Sequence, residues 1–184
     1  MTATASKMTV EMYLALENSA EVRHEFVDGV MLAMAGESRT HYRIARNLTR
    51  ALEDQRSNPA CEIVMEAVKV RVHTGRYRYP DVVVTYAPGD DPFFLENPCF
   101  IAEVLSGSTA PTDHNDKLEE YTRLPSLQRY AIISQDVRRV IVYKRSLDGW
   151  AVEILEAGEI DVPCLETSLS LDQIYSGLEF PGSS

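Results

Sequence analysis

Two acidic residues lie where the pattern of hydrophobic residues predicts buried β-strands. Asp81 follows Pro80 at the start of the apolar run 82–84, and Glu103 lies near the end of the apolar run 100–105. A buried carboxylate is costly without a partner, and two of them on neighbouring strands would repel each other. A divalent cation removes both costs, because Mg²⁺ binds carboxylate oxygens while it keeps several waters. The sequence therefore predicts a divalent-metal site at Asp81 and Glu103.

Asp113, Lys117 and Tyr121 are spaced four residues apart and therefore share one face of a predicted helix. The ammonium group of Lys117 could stabilise charge that develops on a phosphate, or help to orient or activate a metal-bound water. A purely structural interpretation stays open beside this one. In that interpretation Glu103 and Lys117 form a salt bridge and Asp81 caps a turn.

The order and spacing of several short motifs resemble the Uma2 family, which belongs to the PD-(D/E)xK nuclease superfamily. The resemblance extends over roughly residues 9–175 of the chain. Its motifs are Glu25-Phe26-Val27-Asp28-Gly29, Tyr79-Pro80-Asp81-Val82-Val83-Val84 and Glu103-Val104-Leu105-Ser106, together with the single residues His41, Thr109, Asp113, Lys117 and Tyr121. Each motif is short, and their order and spacing together make the resemblance specific.

The resemblance implies both a fold and a set of roles. The fold is an α/β (α+β), restriction-endonuclease-like domain, in which a four-stranded mixed core sheet is flanked by helices and extended by extra antiparallel strands. Asp81 and Glu103 would be metal ligands, with the main-chain carbonyl of Val104 as a third. Glu25 would lie at the rim of the site, as a further ligand or as an acid that orients water.

The chain departs from the superfamily pattern at one catalytic position. That pattern places a lysine two residues after the second acid, where this sequence has Leu105. The hydrocarbon side chain of leucine cannot take the role of lysine. Lys117 is the best candidate for a replacement, reaching the site from the following helix, and such a migrated lysine is characteristic of the family that the chain resembles.

His41 and Tyr121 each have two interpretations. His41 falls on the same helical face as Ile44 and Leu48, which is typical of a buried core histidine. The family resemblance instead places His41 in the cleft, where it would contact phosphate or water. Tyr121 is interpreted as a packing residue whose hydroxyl group reaches the edge of the site.

Four arginines form a stripe on the opposite face of the same helix. They recur at helical spacing, as Arg39, Arg43, Arg46 and Arg50. A solvated helix face is one interpretation, and contact with a phosphate backbone is the other, because several arginines on one face can neutralise several phosphates. Arg76 and Arg78, just before Asp81, could extend that nucleic-acid-binding surface.

The hydrophobic periodicity predicts a mixed sheet flanked by helices. Thr9 and Asp113 are predicted N-caps, and Asp28-Gly29 is predicted to form a type I′ turn between two strands. The predicted helices are residues 9–17, 38–56, 113–123 and 171–176, and the predicted strands are residues 21–27, 30–34, 62–72, 77–86, 99–105, 127–134, 138–144 and 150–155.

Length and composition indicate one globular domain over residues 1–184, with its core at about 9–175. No apolar run approaches the roughly 20 residues that cross a bilayer, and residues 1–7 lack the apolar segment of a signal peptide. We therefore expect a cytoplasmic protein without a membrane partner. The three cysteines are widely spaced and form no metal-binding motif, so they are predicted to be small buried hydrophobic residues.

The net charge of −10 would ordinarily argue against a nucleic-acid partner, but the charge is unevenly distributed. Eight of the 28 acidic residues follow Arg145, and no lysine or arginine does. Residues 1–145 therefore carry 20 acids and all 18 bases. The body of the chain is nearly neutral, and residues 146–184 form an acidic C-terminal segment.

The leading functional hypothesis is an endonuclease that uses Mg²⁺ or Mn²⁺ to hydrolyse DNA phosphodiester bonds. A non-catalytic binding or assembly module that keeps the nuclease fold is the first alternative, favoured by the acidic segment and the near-neutral body. A phosphohydrolase for nucleotides or other small phosphoesters is the second. A homodimer is expected, because a duplex-cutting enzyme benefits from two symmetry-related sites and the predicted strand 150–155 could pair or pack between subunits.

Overall fold

The computed structural model describes residues 7–34, 36–105 and 111–180, with the backbone alone described for residues 111–114. The elements in chain order are α1 (Val10–Glu17), β1 (His24–Val27), β2 (Val30–Ala33), α2 (Arg39–Asp54), β3 (Glu62–Met65), β4 (Lys69–His73), β5 (Arg76–Arg78), β6 (Val82–Thr85), β7 (Phe94–Leu95), β8 (Pro98–Leu105), α3 (Pro111–Thr122), β9 (Arg129–Ser134), β10 (Val140–Ser146), β11 (Gly149–Leu155), β12 (Glu159–Val162), β13 (Thr167–Ser170) and α4 (Leu171–Ile174). Within these residues, no helix is long and apolar enough to cross a membrane.

Side-chain caps and one turn define the N-terminal elements. The hydroxyl groups of Thr9 and Ser38 accept hydrogen bonds from the third residue of α1 and α2, respectively, and so satisfy backbone donors that a helix start leaves free. Asp28 and Gly29 both have positive φ, 49° and 95°, as a type I′ turn requires. The cap at Thr9 and the β1–β2 hairpin confirm the predictions from sequence.

A six-stranded mixed sheet forms the centre of the molecule, with strand order β11-β10-β9-β8-β6-β3. β8 and β9 run parallel, and the other neighbouring pairs are antiparallel. Apolar residues of α2 and α4 cover one face, and residues of α3 cover the other. The predicted fold class, a mixed sheet flanked by helices with extra antiparallel strands, is confirmed.

A second sheet of five strands, in the order β2-β1-β5-β4-β7, lies beside the first. Its own small core joins Tyr13 of α1 to Phe26, Tyr77 and Phe94, and the rings of Tyr13 and Phe26 stack with their centroids 4.6 Å apart. This sheet carries Glu25 and Arg78, so the residues predicted for the site are divided between two sheets.

Two of the predicted strands are each split between the two sheets. The predicted strand 62–72 breaks at Glu66, which has a φ of 50°, so that β3 joins the six-stranded sheet and β4 the five-stranded one. The predicted strand 77–86 breaks in the same way, between β5 and β6. The Glu66 amide donates to the Asp81 carbonyl over 3.0 Å, which ties the two crossovers together. Asp81 therefore lies at the seam between the sheets.

Other boundaries also differ from the sequence-based predictions. The antiparallel hairpin of β12 and β13 was not predicted, and its short strands pair over four residues each. α3 begins at Pro111, so Asp113 lies inside the helix and the prediction that it is the N-cap is wrong. Ser106 and Thr109, which contribute to the family motifs, lie outside the described residues.

The cysteine prediction is wrong for two of the three residues. Cys99, at the start of β8, and Cys164 form a disulfide, whereas Cys61 is a buried free thiol as predicted. Disulfides are rare in reducing compartments. The cysteines therefore give no support to the expected cytoplasmic location.

The acidic C-terminal segment is paired with basic residues of β9, β10 and the turn between them. Asp161 contacts Arg129, Asp172 contacts Arg138, and Glu156 contacts Arg139. Lys144 lies 2.5 Å from a carboxylate oxygen of Glu153. Four of the eight acidic residues of this segment are thus paired with arginine or lysine at one end of the six-stranded sheet.

Candidate active site

The register of β6 and β8 brings Asp81 and Glu103 together. Val82 pairs with Ala102, so Asp81 and Glu103 are the next residues opposite each other in this antiparallel pair. Glu103 contacts residues of α3, whereas Asp81, just before β6, contacts Val104 of β8 and His41 of α2. The two residues are buried, with 5% and 3% of their surface exposed, and both line one open pocket of about 790 Å³.

Asp81 is held by a backbone amide and a histidine ring. Its Oδ2 accepts a hydrogen bond of 2.5 Å from the Val104 amide and one of 3.1 Å from Nε2 of His41. In a β-strand the N–H and C=O of one residue point to the same side. The Val104 carbonyl therefore also points toward Asp81, just beyond the end of β6, where it could serve as a third oxygen ligand.

Glu103 contacts two residues of α3. Its Oε1 accepts a hydrogen bond of 2.9 Å from the hydroxyl of Tyr121, and the Lys117 ammonium lies 3.4 Å from both of its carboxylate oxygens. Lys117 also lies 3.2 Å from Oε1 of Glu25, which β1 contributes from the other sheet. The structure therefore brings Glu25, Glu103 and Lys117 to one point. Tyr121 is fully buried, and its hydrogen bond fixes the position of the Glu103 carboxylate.

The electrostatics of Glu103 and Glu25 differ although they share Lys117. Burial raises the pKa of Glu103 to about 8, and the nearby carboxylates of Asp81 and Glu25 add to this, against the opposing charge of Lys117. Burial also opposes ionisation of Glu25, but Lys117 and Arg78 outweigh it and lower the pKa of Glu25. Nearby positive charge thus offsets the burial of Glu25 but not that of Glu103.

His41 is buried, as expected for a core histidine, and it also lines the pocket, as the family resemblance implied. Its ring lies between Asp81 on one side and Glu37 on the other, where Nδ1 is 2.7 Å from Oε2 of Glu37. Burial opposes protonation of the ring, but the hydrogen bond to Asp81 and the charges of Asp81 and Glu37 outweigh burial and raise the pKa of His41 to about 10.

Sequence reasoning missed two acidic residues beside Asp81. Glu37 precedes the N-cap of α2, and Glu66 lies at the crossover between β3 and β4. Glu37, His41, Glu66 and Asp81 each offer a ligand atom, all within 4.8 Å of one another. In the sequence Glu37 resembles a loop residue and Glu66 a strand residue, so no local signal distinguished them. We call Asp81, Glu103, Glu37 and Glu66, with His41 and Lys117, the carboxylate pocket.

Arg78 is not part of an exposed phosphate-binding surface, which corrects the prediction from sequence for this residue, whereas Arg76 is partly exposed. Arg78 is 2% exposed and forms hydrogen bonds to both oxygens of Glu120 and to Glu25, at 2.6 to 2.8 Å. Arg76 contacts Glu120 and Asp28. These guanidinium groups are occupied by carboxylates. We call Arg76, Arg78, Glu25, Glu120 and Asp28 the arginine cluster.

The arginine stripe of α2 is exposed, as the pattern predicted. Its four members, Arg39, Arg43, Arg46 and Arg50, all face away from the core. Ser38 at the start of the helix lines the pocket, so the stripe begins at the pocket rim and extends for about 16 Å at 1.5 Å per residue. This placement is compatible with both a solvated face and a phosphate-binding one.

Comparison with known proteins assigns the chain to a family. The Uma2 family, described as "Putative restriction endonuclease", matches residues 10–173. The chain belongs to the Uma2 family. The match runs from the first residue of α1 into α4 and contains every residue of the carboxylate pocket and the arginine cluster.

Two relatives of this Uma2 protein come from Synechocystis sp. (strain ATCC 27184 / PCC 6803 / Kazusa). "Uncharacterized protein slr1290" is 33% identical over 179 residues, which cover 95% of this chain and 94% of the relative. "Uncharacterized protein sll1609" is 34% identical over 151 residues, which cover 78% of this chain and 84% of the relative. The similarity therefore extends over most of the length of both relatives.

A solved structure shares the fold of this Uma2 protein. It is a crystal structure of a putative nuclease belonging to DUF820 from Anabaena variabilis ATCC 29413, with a TM-score of 0.69 and 19% sequence identity. The similarity covers 92% of this chain and 98% of the other. At this identity the likeness establishes the fold alone.

Proposed function

We propose that this Uma2 protein is a Mg²⁺-dependent endonuclease that hydrolyses phosphodiester bonds in DNA. The observation that carries the proposal is the pair of buried carboxylates, Asp81 and Glu103, side by side in an open pocket next to a lysine. The Uma2 family description and the nuclease-like fold support the same reaction class.

The donor set of the pocket fits a hard divalent cation. Asp81 and Glu103 supply carboxylate oxygens, and the Val104 carbonyl points to the same place, which matches the all-oxygen coordination that Mg²⁺ prefers. The raised pKa of Glu103 supports this fit, because burial and the neighbouring carboxylates oppose its ionisation and Lys117 offsets them only in part. Mn²⁺, which also accepts oxygen ligands, would be an alternative ion.

A divalent ion in this position would supply a Lewis acid for the phosphodiester and lower the pKa of a bound water. The protein's own residues would position the other groups. Lys117, between Glu25 and Glu103, would direct its ammonium group to a phosphate oxygen and stabilise the charge that develops there. Tyr121 would fix the orientation of Glu103 through its hydrogen bond. Glu25 would hold Lys117 at the rim, where it could also orient a water.

Two features support a nucleic-acid substrate and a dimer. The exposed arginine stripe starts at the pocket rim, so a duplex lying along α2 would bring one phosphate to the pocket and others to the stripe. β11 forms one edge of the six-stranded sheet, where 57% of the surface of Val152 and 62% of that of Ile154 are exposed to solvent. We propose that this edge pairs two subunits, which would give the two active sites that cutting both strands requires.

The test is cleavage of supercoiled plasmid in Mg²⁺ or Mn²⁺ by the wild-type protein and by Asp81→Ala. The matched control is Asp90→Ala, because Asp90 is an exposed residue outside the pocket. We expect cleavage by the wild type and by the control, and a loss of at least about 10²-fold in Asp81→Ala. Cleavage that persists unchanged in Asp81→Ala would refute the mechanism.

Two further measurements separate the alternative functions. Calorimetry that detects neither Mg²⁺ nor Mn²⁺ binding by the wild type would indicate a non-catalytic module that keeps the fold. Metal-dependent hydrolysis of nucleotides or small phosphoesters, without plasmid cleavage, would indicate a phosphohydrolase. Both results would contradict the proposed endonuclease.

A further inference from the structure

Glu37, His41 and Glu66 form a second group of potential metal ligands, beside the Asp81–Glu103 pair that is proposed to bind Mg²⁺. Glu37 is exposed at the mouth of the pocket, Glu66 is half-buried, and the side chain of His41 is 8% exposed. Three different segments of the chain supply them: the residue before the α2 cap, the first turn of α2 and the crossover after β3. Such a group has mixed nitrogen and oxygen donors, unlike the oxygen donors around Asp81 and Glu103.

The orientation of the His41 ring defines which nitrogen is available. Nε2 faces Oδ2 of Asp81 over 3.1 Å, and a carboxylate can only accept, so Nε2 carries the proton of this hydrogen bond. Nδ1 points to the opposite side, toward Glu37 and Glu66. This is the arrangement of histidine ligands in metal sites, where one ring nitrogen binds the ion and the other donates to a carboxylate.

The second observation concerns atoms that remain without a hydrogen bond. Among the described residues, Nδ1 of His41 and Oε1 of Glu66 are buried, and neither forms a hydrogen bond of acceptable geometry. Nδ1 lies 2.7 Å from Oε2 of Glu37 and 4.0 Å from Oε1 of Glu66. Around an ion with bonds of about 2.1 Å, tetrahedral ligand atoms are roughly 3.4 Å apart. The two distances lie on either side of this value.

We propose that Glu37, His41 and Glu66 bind a transition-metal ion such as Zn²⁺ or Mn²⁺, with Asp81 orienting the histidine from behind. An imidazole nitrogen with two carboxylates favours these ions over Mg²⁺. Three protein ligands leave a fourth position open, as in catalytic rather than structural zinc sites. Glu37 and His41 line the pocket, so that position faces the space where a substrate would lie.

This second site does not depend on the proposed endonuclease. Its three ligands are distinct from Glu103 and the Val104 carbonyl, and it shares Asp81 only as the hydrogen-bond partner of His41. A rival account needs no metal, because a protonated His41 held between Asp81 and Glu37 would make the same contacts. The experiment must therefore detect the ion and the ring nitrogen directly.

The test uses Co²⁺ as a spectroscopic probe for the wild-type protein, Glu66→Gln and Glu103→Gln. Glu62→Gln is the matched control, because Glu62 is exposed on β3 four residues before Glu66. We expect Co²⁺ to give visible absorption bands in the wild type, in Glu62→Gln and in Glu103→Gln. In Glu66→Gln the affinity should fall by at least about tenfold. Circular dichroism establishes that each variant is folded.

A second measurement identifies the ligand atom. In protein with ¹⁵N-labelled histidine, Zn²⁺ should shift the Nδ1 resonance of His41 and leave Nε2 protonated. The proposal is overturned if the folded wild type binds no Co²⁺, or if Glu66→Gln binds it as tightly as the wild type. It is also overturned if Glu103→Gln abolishes binding, or if Zn²⁺ leaves Nδ1 unchanged. None of these readouts requires nuclease activity, so the two proposals fail separately.

Discussion

The carboxylate pocket and the arginine cluster are adjacent and contain the same kinds of residue, but their electrostatics are opposite. In the arginine cluster, the hydrogen bond from Arg76 lowers the pKa of Asp28, and Lys117 and Arg78 lower that of Glu25 despite burial. In the carboxylate pocket, burial and neighbouring acids raise the pKa of Glu103 to about 8 and that of Glu66 to about 7.

The difference shows which group of acids already has its cations. Two arginines lie among the three acids of the arginine cluster, and Arg78 is bidentate to Glu120, the geometry in which a guanidinium pairs best with a carboxylate. The carboxylate pocket, as defined above from the described residues, combines four acids with two cationic partners, His41 and Lys117. The acids of the arginine cluster are therefore paired with arginines in the fold, whereas the proposed function would supply a cation from solution to the carboxylate pocket.

The largest expected effect comes from breaking the arginine cluster. Glu120→Ala would leave the buried Arg78 without its bidentate partner, which should reduce the free energy of unfolding by about 3 to 5 kcal/mol. The control is Glu119→Ala, because Glu119 is exposed and pairs with Arg123 one turn away, so its loss should cost less than about 1 kcal/mol. Urea denaturation measures both. Equal effects would mean that the Arg78–Glu120 pair is not a structural anchor.

A smaller effect should appear when Mg²⁺ is added to the carboxylate pocket. At about ten times its Kd, an ion that binds only the folded state stabilises it by about 1.4 kcal/mol. We expect this gain in thermal unfolding of the wild type and of Glu62→Gln, but not of Glu103→Gln, which keeps the shape of the side chain and loses its charge. A full Mg²⁺ gain in Glu103→Gln would place the ion elsewhere.

The pH dependence of Mg²⁺ affinity should sharpen the comparison further. Glu103 must lose its proton to bind a cation, and its pKa is raised from 4.5 to about 8. Affinity should therefore fall by about tenfold between pH 7 and pH 6, and level off above pH 8.

In the metal-free protein, the same shift means that stability falls as pH rises from about 4.5 to 8, since the folded state holds the proton longer. Calorimetry at several pH values measures the affinity, and a flat profile would contradict this account.

Local features of the fold could be predicted from the sequence. Thr9 caps α1, and Asp28-Gly29 makes the β1–β2 turn, because these signals act over three or four residues. The helical face of Ile44 and Leu48 was also correct, because its periodicity follows from the helix itself. The assignment of strands to sheets could not be predicted. Residues typical of strands continue on both sides of each crossover, and only contacts distant in sequence show where the chain changes sheet.

The same distinction explains the candidate site. Asp81 and Glu103 stood out because an acid in an apolar strand is unusual, and Lys117 because of its helical spacing. Arg78 looked like a surface residue since its partner Glu120 lies 42 residues further along the chain. Glu66 could not be recognised because Glu37, His41 and Asp81, which lie beside it, are distant in the sequence. Charges that are neutralised by distant partners leave no local pattern.

The disulfide between Cys99 and Cys164 affects what happens when the polypeptide is cut by a protease. The bond joins the start of the central strand β8 to a residue 65 positions later, after four further strands. A protease that cuts at any single position between them, for example in the exposed turn at Leu147, leaves two pieces of polypeptide that still migrate together. After a cut at Leu147, only a reductant would release the C-terminal piece from the piece that contains Asp81, Glu103 and Lys117.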